Sequence, residues 1–106
     1  MTIYALSTVE GQSGVAIIRV SGPLSKKTIK TLTGKEPKPR LITLAKIKTL
    51  KNKIIDEGLV VYFPKKQSFT GEEVAEFHIH GSTAIIETLL KELGRIKALR
   101  PAKQGE

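Results

Sequence analysis

"EEVAEFHIHGSTAIIETLLKELG", residues 72–94, changes its period midway, and that change decides the fold class. In the first half, Val74, Glu76, His78 and His80 point one way while Glu73, Ala75, Phe77 and Ile79 point the other, the period-two pattern of a strand. From Ser82 onward Ile85, Ile86, Leu89, Leu90 and Leu93 fall on one stripe at spacings of three and four, which is a helix with Gly94 as its stop. A strand feeding directly into an amphipathic helix is the unit of a layered protein containing both element types.

On the N-terminal side of this stretch, "TIYALSTV" (residues 2–9) is a β-branched and aromatic strand followed by the turn residues "EGQSG", and "VAIIRVSG" (15–22) is an apolar run suited to a central strand covered on both faces. Ser21 and Gly22 are placed to cap a helix that opens at Pro23, presents Leu24, Thr28, Ile29 and Leu32 on one face and stops at Gly34. "EPKPR" (36–40) is an extended connector, and "LITLAKIKTL", "KNK" and "IIDEGLVVYF" (41–63) form an antiparallel hairpin. On the other side, a short strand is expected near Ile96 to Leu99. The order β, β, α, β, β, β, α, β is that of an α+β fold with a mixed β-sheet and two or three helices, with no internal repeat.

The 106 residues have room for one domain, and a second, catalytic one would not fit. No apolar run approaches the ~20 residues of a membrane span, and no secretory or transit signal opens the chain. Cysteine is absent, which removes disulfides and thiolate chemistry and fits a reducing compartment; the expected setting is a bacterial cytoplasm. The formal charge is +8, and ten of the 18 basic residues lie between Lys26 and Lys53 against Glu36 alone. That sector is either a solvated lysine-rich face or the footprint of a polyanion. No aromatic residue interrupts it, so base stacking is not expected there.

Chemistry-bearing residues concentrate in the opening stretch. Glu76, His78 and His80 share a face, but Glu76 and His80 stand ~13 Å apart at ~3.3 Å per residue, too far to hold one ion, so no metal site is expected. No G-x-S-x-G elbow is present, and "SGPLSKKT" lacks the glycine that a phosphate loop puts before its lysine; no catalytic residue is assigned. Arg19 in an apolar strand and Glu76 in a strand bounded by Gly71 and Gly81 are costly to bury unless paired. They either pair with each other or flank a pocket in which a carboxylate accepts from an N–H edge and a guanidinium grips a carbonyl or carboxylate. Gly71, His80 and Gly81 are candidate pocket or turn residues, the glycines permitting close approach of a ligand or partner backbone.

Taken together, "GVAIIRVSGP", "SFTGEEVAEFHIHGS" and "LRPAKQGE" resemble in order and spacing the N-terminal domain of the bacterial tRNA-modification GTPases called MnmE or TrmE, over the whole chain. The resemblance implies a tetrahydrofolate-binding and dimerisation domain (1–106), its fold similar to the folate-binding part of the glycine-cleavage T-protein. A helical domain and a G domain using GTP, magnesium and potassium would belong to a longer protein of which this is the first part. It further implies 5-formyltetrahydrofolate bound by Arg19 and Glu76, a homodimer through this domain, and joint action with a flavin-dependent partner, MnmG or GidA, on C5 of the wobble uridine of tRNA. A third folate ligand of the family, a lysine, falls beyond Glu106. On this reading Glu72 and Glu73 are turn or interface residues, His78 has no chemical role and His80 shapes a turn. Two departures stand out: proline sits at Pro101 rather than before the glycine of "QGE", and Ser82 replaces a usual second glycine. An independent basic RNA-binding module is the alternative. A T-protein-like aminomethyl transferase is disfavoured by length.

Overall fold

The computed structural model describes residues 1–9, 14–65 and 71–106. The "EGQS" part of the first turn and Phe69 and Thr70 of the opening motif lie outside the described residues. Strands β1 (Thr2–Val9), β2 (Val15–Ser21), β3 (Thr43–Lys48), β4 (Ile54–Phe63), β5 (Val74–His80) and β6 (Leu99–Pro101) form one sheet, and α1 (Ser25–Thr33) and α2 (Thr83–Leu93) are the helices of the described residues. The strand order is β3-β4-β5-β2-β1-β6. Only β1 and β6 pair in parallel; the other neighbours are antiparallel, so the sheet is mixed and the fold α+β.

Alternation along the strands sends one set of side chains under the helices. Ala16, Ile18 and Val20 of β2, Ala75, Phe77 and Ile79 of β5, and Val60 and Tyr62 of β4 form one buried cluster with Ile29 and Leu32 of α1 and Leu89 and Leu93 of α2. Both helices therefore cover the same face. β2 is central, as its apolar run predicts, but it is covered on one face only: its burial alternates, with Val15, Ile17, Arg19 and Ser21 less buried than their neighbours. Val61 and Val74 are also buried, outside that cluster, on the face that carries Arg19.

The start of α1 also departs from the sequence reading. Ser21 stays in β2, opposite Ile3, and the helix begins at Ser25 with no side-chain cap. Gly22 lies at φ +133° against Thr2, where a Cβ would come within 2.8 Å of the Thr2 Cα, so this glycine is a close-approach residue rather than a cap. Ser25 Oγ closes the turn by donating within reach of the Gly22 and Val20 carbonyls. Gly34 ends α1 in the left-handed conformation, and Gly94 ends α2 as expected, though as a right-handed C-cap, with the left-handed residue following at Ala98.

Candidate functional site

The central strands fix the Arg19 row. Register places Arg19 of β2 opposite Glu76 of β5, with Ala5 and Val61 flanking them on β1 and β4. Arg19 Nη2 and Nε donate to Glu76 Oε2 at 2.7 and 3.1 Å. Of the two arrangements open to these residues, direct pairing is the one realised, yet the pair is not sealed: the Arg19 side chain is 42% exposed and that of Glu76 15%. His78, two residues along the same face, sets Nε2 2.9 Å from Glu76 Oε1; a carboxylate only accepts, so Nε2 carries the proton. His78 thus holds Glu76, a role its spacing allows but does not reveal. Partial burial pushes the Glu76 carboxyl up, and the hydrogen bonds and charges of His78 and Arg19 outweigh it, leaving Glu76 below the ordinary carboxylate value.

Arg19 also lines a cavity of about 390 Å³ whose apolar side is Ile3, Ala5 and Leu6 of β1 and whose polar groups include Ser21, Glu72 and Glu106. Ser21 Oγ donates to Glu72 at 2.9 Å, and Glu106 is locked by two bonds from Arg100 at 2.8 and 2.7 Å. Those bonds, with the Lys103 amide, pull the Glu106 carboxyl down to about 2. The C-terminal segment is a folded hook: Pro101 sits in β6, and the Ala102 amide donates to the Tyr4 carbonyl at 2.9 Å. Glu73 accepts from the Tyr62 hydroxyl, and burial together with that bond pushes the phenol up to about 12.

The remaining candidates are not in the lining of this cavity. Gly71 is at φ +79° in open space before β5, while His80 and Gly81 lie at the other end of the strand. Gly81 is closely approached by the chain itself: its amide donates to the Gly14 carbonyl at 2.8 Å, and a Cβ there would come within 2.9 Å of that oxygen. His80 is held by Asp56, whose carboxylate accepts from the His80 amide at 2.8 Å and from Nδ1 at 2.9 Å. Sequence reasoning does not single out Asp56; an acid inside the β-branched run of β4 is its only signal. Ser82 needs no glycine's freedom, being an extended N-cap whose Oγ accepts from the Ile85 amide. Among the described residues, no three His, Asp or Glu side chains are grouped to hold a metal ion.

The groups present fit a folate-type ligand in part: a cavity of a size that holds a small molecule, an apolar wall and Arg19 in the lining, with Glu76 paired to Arg19 and outside that lining. The geometry defines an open-faced, two-layer α+β domain with a charged row on its helix-free side. The family described as GTP-binding protein TrmE N-terminus matches residues 2–106, and the chain belongs to it. It is 52% identical, over its whole length, to the tRNA modification GTPase MnmE of Pelagibacter ubique, covering 24% of that relative. It is 49% identical to the mitochondrial 5-taurinomethyluridine tRNA synthase subunit GTPB3 of Danio rerio over 99% of this chain and 21% of the relative. The mitochondrial tRNA modification GTPase mss1 of Schizosaccharomyces pombe is 48% identical over 99% of this chain and 22% of its own length. The chain thus spans about a quarter of these relatives. No helix of the described residues is long and apolar enough to cross a membrane.

Proposed function

We propose that this chain is the folate-binding, dimer-forming N-terminal part of a GTP-hydrolysing tRNA-modification protein. The observation that carries the reading is the Arg19–Glu76–His78 row, with Arg19 nearly half-exposed and the other two mostly covered, beside the Arg19-lined cavity. A bound 5-formyltetrahydrofolate would supply a one-carbon unit; the chain's own residues bind and orient. Glu76 accepts from the N–H edge of the pterin, and Arg19 swings part of its guanidinium from Glu76 to a carbonyl or carboxylate of the same ligand. GTP, magnesium and potassium belong to the G domain of the complete protein, which acts with a flavin-dependent MnmG-type partner on the wobble uridine of tRNA, in the cytoplasm in a bacterial setting.

Dimerisation has its own support. On the helix-free face Val15, Leu44 and Leu59 are 46%, 57% and 41% exposed, a set of large apolar side chains that a second copy would cover. Calorimetric titration with 5-formyltetrahydrofolate, followed by sedimentation of the same samples, tests both parts. Wild type binds as a dimer, Glu76→Ala and Arg19→Ala each lose at least about tenfold in affinity, as expected for a charge-assisted contact worth ~1.5–3 kcal/mol, and Leu59→Glu sediments as a monomer. Undiminished binding by both binding-site variants would sink the folate assignment; a dimeric Leu59→Glu would sink the face assigned to pairing.

A further inference from the structure

The strongest charge feature lies away from the Arg19 row. β3 is an edge strand, and the connector leaving α1 continues along the same side of β4, where Pro39 bridges Tyr62 and the Arg40 amide donates to the Tyr62 carbonyl at 2.8 Å. One edge of the sheet therefore collects Lys38 and Arg40 before β3, Lys46 and Lys48 within it, and Lys51 and Lys53 in the turn after it. None of these six has an acidic partner at ion-pair distance among the described residues. Glu36, the one acid of the sector, is already engaged by Lys26 at 3.1 Å and Lys30 at 3.4 Å. A groove of about 290 Å³ brings Lys35, Lys46 and Lys48 together, with Glu57 as its one acid among the described residues.

Two structural demands explain part of this. Lys30 in the last turn of α1 offsets the helix's negative end, and Lys35 Nζ donates to the Leu44 carbonyl at 3.1 Å on the unpaired edge. Lysines on an edge strand also deter pairing with another chain, which accounts for Lys46 and Lys48. Neither demand reaches Lys38, Arg40, Lys51 or Lys53, which flank β3 at both ends.

We infer that this edge is a docking face for the phosphate backbone of an RNA, held by charge and shape and not by base reading. β3 alone extends ~20 Å at ~3.3 Å per residue, and the basic residues continue past both its ends, a length that meets several successive phosphates. No aromatic residue lies between Lys26 and Lys53, so there is no platform for stacked bases. The edge is three strands from Arg19, ~14 Å at ~4.8 Å per strand, so RNA and a small ligand would occupy the chain together. The choice of RNA over another polyanion rests on the tRNA-modification reading; the surface itself does not.

The experiment is a fluorescence-anisotropy titration of a tRNA transcript with the chain at several salt concentrations. Wild-type log K should fall linearly with log salt, and the combined Lys46→Glu, Lys51→Glu, Lys53→Glu variant should lose at least about tenfold in affinity with a slope reduced by about 2 to 3. The control Lys97→Glu, Lys103→Glu should stay within about twofold. If the glutamate variant does not stay folded, glutamine at the same three positions must lower both affinity and slope. Unchanged affinity and slope would overturn the inference. So would poly-L-glutamate displacing tRNA as well as unlabelled tRNA does, which would make the partner an acidic protein surface. Folate titration of the same variant separates the two readings: its affinity should match wild type whether or not RNA binds.

Discussion

At the level of single residues, Glu76 has both carboxylate oxygens engaged, Oε2 by Arg19 and Oε1 by His78, so a ligand donor must share or displace one of them. Spacing puts Glu76 and His78 on one face, and that much is legible in the sequence. Which strand brings a partner is not, because Arg19 meets Glu76 only through the β2–β5 register, 57 residues apart in sequence. The same holds for Asp56 and His80, joined across 24 residues. A carboxyl held below its ordinary value of 4.5 contributes stability that is present above that value and lost as pH falls through the lowered one. Urea midpoints measured down through the acid range should therefore show a shallower loss below 4.5 for Glu76→Gln than for wild type, with His78→Gln in between. The contribution is about 1 kcal/mol, held down by the partial solvation of Arg19. Superimposable curves for all three proteins would contradict the assigned pairing.

Among the elements, the strand-to-helix change at Gly81–Ser82 is readable from period alone, and Ser82 capping α2 explains why the helix starts there. The start of α1 is not readable, since Ser21 and Gly22 carry cap chemistry but the first is held in the β1–β2 ladder and the second is pressed against Thr2. Nor does periodicity announce Glu92, an acid on the buried side of α2. Only 3% exposed, it accepts from the Leu50 amide at 2.6 Å and from Arg95 at 3.1 Å, tying α2 to the turn after β3. Glu92→Leu should cost about 1–3 kcal/mol by leaving that amide unpaired, and Glu92→Gln less, since its amide oxygen still accepts. Equilibrium urea unfolding checks this, and a Glu92→Leu protein as stable as wild type would remove the tie.

For the whole molecule, the element order is legible because each strand and helix announces its own period, and the α+β class follows from that order. One-sidedness is not. The near-continuous apolar run of β2 reads as a strand covered twice, but both helices fall on the same face and leave Val15 and Ile17 on the other. The helix-free face and its β3 edge then carry three adjoining kinds of chemistry, with Leu44 of β3 where the apolar face meets the lysine edge. An uncovered apolar face suits pairing, a charged row beside a cavity suits a small ligand, and a lysine edge at the far side suits a polyanion. The folate reading stands or falls on ligand entry beside Arg19 and Glu76, and amide chemical-shift mapping during addition of 5-formyltetrahydrofolate reads that location out residue by residue. Shifts should cluster on Ile3 to Leu6, Arg19 to Ser21, Glu76 and Ala102, with the β3 edge unmoved; shifts confined to α1 and β3, or none at saturating ligand, would contradict it.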